Sequence, residues 1–129
     1  MKIASFLQAC KLLKYNPKTV LPNVSKMPKR LQAHTIAKAK LEIIAEASRA
    51  GVELDYDTDQ QKWFGIFLLN KPGFRFGASN CGIANSRSHG GPRLCYLSEE
   101  DSDYHCKKHI ALYKAAMVIP KKKTRPKKK

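Results

Sequence analysis

Apolar positions fall at helical spacing in three stretches of this chain and run together in three shorter ones. Over residues 3–14, Phe6, Leu7, Cys10 and Leu13 recur three and four apart, the period of one helix face. The stretch NPKTVLPNVSKMP follows with three prolines, which predicts an extended connection. The strongest helical pattern runs from about Pro28 to Ala50. Ala33, Ile36, Ala37, Lys40, Ile43, Ile44 and Ala47 form its inward stripe, polar only at Lys40. Pro28 suits a first helical position, which leaves Met27 in the cap site. Gly51 stops the helix, as glycine does just past a helix end. Glu42 and Glu46 lie in the C-terminal half, where the helix dipole does not favour anions.

A polar loop, DYDTDQQ, comes next. KWFGIFLL is short, aromatic and apolar, and predicts a strand. NKPG is a turn, FRFGAS a second strand pairing with the first, NCGIANSRSHGGP a loop and RLCYL a third strand. Ser98 caps the last helix, with Asp101 in the box position. Glu99, Glu100, Asp101 and Asp103 crowd its first turn, where the dipole favours anions. Cys106, Ile110, Tyr113 and Met117 recur at helical spacing and face the core, and Pro120 ends the helix. The class is α+β: a small antiparallel sheet of about three strands packed against N-terminal helices and a C-terminal helix. Residues 1–119 read as a single α+β domain, and 120–129 as a disordered Lys/Arg-rich tail.

Charge changes this picture from a fold to a class of partner. The 129 residues carry 25 Lys and Arg against 10 Asp and Glu, a net +15. The signs are segregated. Nine basic residues precede the first acid, Glu42, and all ten acids lie within 42–59 and 99–103. The tail contributes seven charges, so the rest of the chain still carries +8. Such a balance points to nucleic acid first. Lys11 and Lys14 break the N-terminal apolar run, so neither a secretory segment nor a spanning helix is expected. The expected compartment is the host cytoplasm, with no membrane partner, and the four cysteines are expected to be free thiols.

The candidate chemistry is weak beside that charge. Cys81, His89, Cys95, His105, Cys106 and His109 share one half of the chain, and His105 and His109 share a helix face. That spacing suits a metal. There is no C-x-x-C pair, however, and Cys95 and Cys106 fall at core positions. Asp55, Asp57 and Asp59 open like a calcium loop, but Gln60 and Ile66 stand where glycine and glutamate belong. Cys81 near His89 is the only loop pair resembling a nucleophile and base. The two acidic clusters are accounted for by a turn and a helix cap. No catalytic residue, metal or cofactor is assigned. The loop SRSHGGPR has glycines that let a phosphate approach the backbone, so Arg87 and Arg93, with Arg75 on the adjoining strand, are candidate phosphate contacts. Trp63 and Phe76 are candidates for base stacking, against a core role for the same aromatics. Lys121, Lys122, Lys123, Arg125, Lys127, Lys128 and Lys129 of the tail, with Lys29 and Arg30 at the head of the long helix, complete the expected nucleic-acid contacts. Phosphate contacts of this kind give affinity without sequence choice.

Four segments in order carry a resemblance. They are LPNVSKMPKRLQAHTIAKAKLEIIAEA behind the first helix, DYDTDQQKWFGIF, GFRFGASNCG, and GGPRLCYLSEEDSDYHCKKHIALYKAAMVI. Over about residues 5 to 119 the chain resembles a group of small proteins of phages and prophages of Bacteroides-type bacteria, including crAss-like phages. KLEIIAEA, PRLCYLSEED and LYKAAM are its most specific parts. The resemblance implies a phage context and no catalytic residues. KWFGIF stands where that group has a run richer in tyrosine, and the poly-lysine tail is an addition. The expectation is therefore a non-enzymatic phage protein binding DNA or RNA, in the cytoplasm or packaged in the virion. The alternatives are an adaptor or inhibitor docking on a host or phage protein, and a virion structural protein whose tail touches DNA.

Overall fold

The computed structural model describes residues 1–55, 60–70, 73–83 and 92–119. The chain is α+β. Its order is α1 (Phe6–Leu13), α2 (Lys29–Ser48), β1 (Gln61–Leu68), β2 (Arg75–Ile83), a 3₁₀ turn at Pro92–Leu94, α3 (Glu99–Lys108) and α4 (Ile110–Met117). The tail lies outside the described residues, as do 56–59, 71–72 and 84–91.

α1 starts later than its apolar spacing predicts. Ser5 is extended and caps the helix, its Oγ accepting from Gln8 N. Gln8 Oε1 accepts in return from Ala4 N at 2.8 Å, a reciprocal arrangement close to a capping box. Residues 1–4 therefore stay outside the helix. Ile3 is wholly buried, whereas Leu7, expected inward, is 65% exposed.

α2 begins one residue later than predicted, with Pro28 itself at the cap position and no side-chain cap. Its buried residues are Ala37, Leu41, Ile43, Ile44, Ala45, Ala47 and Ser48, while Ala33 is exposed. The stripe is displaced because α2 has two neighbours. α1 and α4 both pack on it, so its buried arc is wider than one face and includes Leu41. Ala50 and Gly51 have φ of 52° and 80° and turn the chain away.

β1 and β2 pair antiparallel from Gln61 opposite Ile83 to Leu68 opposite Arg75, with an irregularity between Ile66 and Phe67. The expected third strand is not formed. RLCYL supplies only an isolated bridge, in which Trp63 and Tyr96 exchange two backbone bonds of 2.7 Å each. The reason lies on either side of Tyr96. The chain coils through the 3₁₀ turn up to Leu94, and Ser98 already caps α3. Too little extended chain remains to make a ladder.

The single C-terminal helix predicted from the apolar repeat is divided at His109, whose φ of −106° and ψ of 32° leave the helical region. The backbone bonds His109 N to His105 O and Tyr113 N to His109 O carry across the break. Met117, expected in the core, is 40% exposed at the end of α4.

The core has two parts. One gathers Ile3, Ala9, Cys10, Ile43, Ile44 and Ala47 under α1 and α2. The other gathers Leu41, Leu94, Cys106 and Tyr113 between the helices and the hairpin, with Phe67, Phe74 and Phe76 packed on it. Leu112 touches both.

Candidate nucleic-acid interface

The two ends of α2 hold separate groups of cations. At its N-terminal end Lys29 and Arg30 are exposed, and the first turn contains no acidic residue. Neither side chain has an acidic partner among the described residues. With no side-chain cap on the helix, its first amide groups add partial positive charge to the same end. α4 runs alongside. Arg30 and Ile119 line one depression, and Arg30 and Lys114 line the adjoining one. Ile119 is the last described residue before the Lys/Arg run. The structure therefore brings Arg30 beside both Ile119 and Lys114, while Lys29 lines the next depression along, with Lys40. His34 ties this end together. Its Nδ1 lies 2.7 Å from the Ala116 carbonyl, which only accepts, so Nδ1 carries the proton and donates it.

Sequence reasoning did not single out Lys114. The apolar repeat through Tyr113 directs Lys114 outward, but sequence does not say which helix lies beside it.

At the opposite end of α2, roughly 30 Å away along 20 residues, Arg93 meets Arg49. Arg49 donates to the carbonyls of Arg93 at 3.3 Å and Cys95 at 3.1 Å. Both arginines line a cleft of about 500 Å³ that also holds Glu46 and Glu53. Carboxylates dilute the positive potential there. Glu46 is held by Tyr15, whose hydroxyl donates to it at 2.9 Å, which explains an acid in the C-terminal half of the helix.

Arg75 is engaged within its own turn. Its guanidinium donates to Asn70 O at 3.0 Å, Gly73 O at 3.1 Å and Asn70 Oδ1 at 3.0 Å. Lys62 is buried, its ammonium donating to the carbonyls of Asp55 and Gln60. Arg87 and the tail residues Lys121, Lys122, Lys123, Arg125, Lys127, Lys128 and Lys129 lie outside the described residues. So do His89, Asp57 and Asp59.

The aromatic candidates are partly covered. Phe76 packs edge-on to Phe67 with ring centroids 6.0 Å apart, and Lys107 Nζ lies 5.7 Å from its ring. Trp63 is half-buried beside its bridge to Tyr96.

His105 and His109 of the suspected metal set are committed elsewhere. His105 Nδ1–H donates to Asp101 O at 2.7 Å, and its Nε2 accepts from Ile3 N at 2.9 Å. His109 Nε2–H donates to Ile3 O at 2.8 Å. The two rings thus satisfy both backbone groups of one residue. Burial lowers His105 to about 4 and lowers His109 as well. Among the described residues no group of three metal-binding side chains comes together. All four cysteines are free. Burial raises the thiols of Cys10 and Cys95 and pushes Cys106 up to about 11, so these three stay protonated and poorly nucleophilic near neutral pH.

A scan against protein-family models found no match, and comparisons with curated proteins and with solved structures found none either. No described helix is long and apolar enough to cross a membrane.

Proposed function

We propose that this is a non-enzymatic, phage-associated protein that binds DNA or RNA through phosphate contacts with little sequence choice. The observation that carries this reading is the placement of exposed Arg30, with Lys29 next to it in the chain, beside Ile119, the residue that precedes the seven-charge tail. Exposed cations on the surface of the body, beside the residue that leads into a run of lysines, contact phosphates without reading base edges. The body's own +8 supports a contribution beyond the tail. Arg75 and Arg93 contribute less than the sequence suggested, because Arg75 is tied to its turn and Arg93 sits among carboxylates. The phage context rests on the ordered resemblance of residues 5–119.

The test compares residues 1–129 with 1–119 on short single- and double-stranded DNA and RNA over a salt series. Both forms are expected to bind, the shorter one more weakly and with a shallower salt slope. Binding that vanishes with the tail would make the tail an appendage and leave the body's function elsewhere. Absence of binding by either form at moderate salt would refute the reading.

A further inference from the structure

The face between α2 and α4 carries an apolar feature that phosphate contact leaves unused. Three depressions of about 560, 380 and 300 Å³ run along it. The first two share Ala33 and Ala115, and the last two share Arg30, His34 and Val118, so they form one continuous groove. Ala33, Ala37, Ala111, Ala115 and Ala116 line it together with larger apolar residues such as Ile36 and Leu112. Leu31, Met117 and Ile119 stand exposed at one end. Its charged lining is Lys29, Arg30, Lys40 and Lys114, with no aspartate or glutamate.

We propose that this groove docks an acidic amphipathic helix from a protein partner. Three properties select that occupant. The alanines of both helices let a helix backbone come close, and apolar side chains at i, i+4 and i+7 can lie along the apolar lining. α4, at eight residues, is roughly 12 Å long, which matches about two turns of a bound helix. The uniformly cationic border favours carboxylates flanking the apolar stripe. The chain's own tail carries the same sign as that border and is repelled. A second copy fits no better. Its acidic turn at the head of α3 is already engaged, Asp101 with the Met1 ammonium and Glu100 with Lys2. A bilayer presents a broad surface to protruding apolar groups and does not enter a groove between two helices.

The probe is a synthetic helical peptide with leucine at i, i+4 and i+7 and glutamate between, titrated against residues 1–129. A control peptide carries serine at the leucine positions. The variant is Ala33→Gln with Ala115→Gln, two exposed positions where a neutral polar chain obstructs the floor without changing charge. The leucine peptide is expected to bind and to hold at about 0.5 M salt better than an oligonucleotide does. The serine peptide is expected to bind at least about tenfold more weakly, and the variant to lose about tenfold toward the leucine peptide. Oligonucleotide binding by the variant should be unchanged. Equal binding of both peptides, equal binding by parent and variant, or no leucine-peptide binding at about 1 mM overturns the proposal. Capture by phosphatidylserine vesicles that the variant abolishes, without peptide binding, overturns it in favour of a membrane face. The proposal stands independently of nucleic-acid binding: a chain that takes the peptide and no oligonucleotide sinks only the earlier reading.

Discussion

At the scale of single residues, two contacts explain positions that a hydrophobic pattern treats as unremarkable. His105 is fully buried and neutral, because its Nε2 must keep a lone pair for the Ile3 amide. Its folded pKa of about 4, depressed by burial, lies below the ordinary value of about 6.5. The unfolded chain therefore takes up a proton first as pH falls. Stability is full above about pH 6.5 and is lost progressively toward pH 4, with no further loss from this group below that. Unfolding in urea at pH 7 and pH 5 is expected to differ by on the order of 2 kcal/mol from this group. His109, lowered for the same reason, acts in the same direction. His105→Gln should narrow that difference, and an unchanged difference would remove His105 as its source. Gly65 is the second case. A Cβ there would lie 2.3 Å from Cys106 Sγ and 3.1 Å from the Phe67 ring, so β1 packs against α3 only because Gly65 has no side chain. Gly65→Ala should cost about 1–3 kcal/mol, and the penalty should shrink in a Cys106→Ala background, read as a double-mutant cycle in urea. An additive pair would contradict the contact.

At the scale of elements, the N-terminal segment is the part least visible in sequence. The spacing of Phe6, Leu7, Cys10 and Leu13 is helical, and a helix is present, but the spacing does not say where it begins. Ser5 decides that, and it leaves Ile3 outside the helix, held by His105 and His109 from a different part of the chain. Ile3→Ala should therefore cost about 2–4 kcal/mol as a core truncation, whereas Leu7→Ala should stay within about 0.5 kcal/mol. Thermal or urea unfolding of the two variants checks the pair, and a larger loss at Leu7 would restore the naive reading. The same contrast runs through the other elements. The hairpin was legible in its aromatic runs, which are local signals, though β2 runs on through Ile83 into the stretch expected as a loop; the Ser98 cap was legible too, accepting from Asp101 N at 3.1 Å. The third strand and the undivided last helix were misread. The number of residues that can lie along β1 depends on where α3 starts, and the break at His109 coincides with a bond to Ile3, over a hundred residues away in sequence. Leu41 shows the same limit: a stripe drawn for one neighbour misses a residue facing a second.

At the scale of the whole molecule, charge could be counted in sequence but not placed. Sequence places Arg93 in a glycine-rich loop and Arg75 on the adjoining strand. Folding ties Arg75 into its turn and sets Arg93 among carboxylates, while Arg30, next to Lys29 in the chain, lines one depression with Ile119 and another with Lys114. This separation of the two ends of α2 yields the sharpest test of the proposed interface. Each lost phosphate contact should reduce the slope of log affinity against log salt by about 0.9 on duplex DNA, or about 0.7 on single strands. Lys29→Gln with Arg30→Gln removes two fixed cations that have no acidic partner to release. The slope on duplex DNA should fall by about 2 in both 1–129 and 1–119, because both keep that end of α2. Arg93→Gln lies at the far end of the helix and should leave the slope within error. The reverse pattern, with Arg93 dominant, would move the interface to the Arg49 cleft. An unchanged slope in every variant, together with binding lost on removal of 120–129, would assign all phosphate contact to the tail.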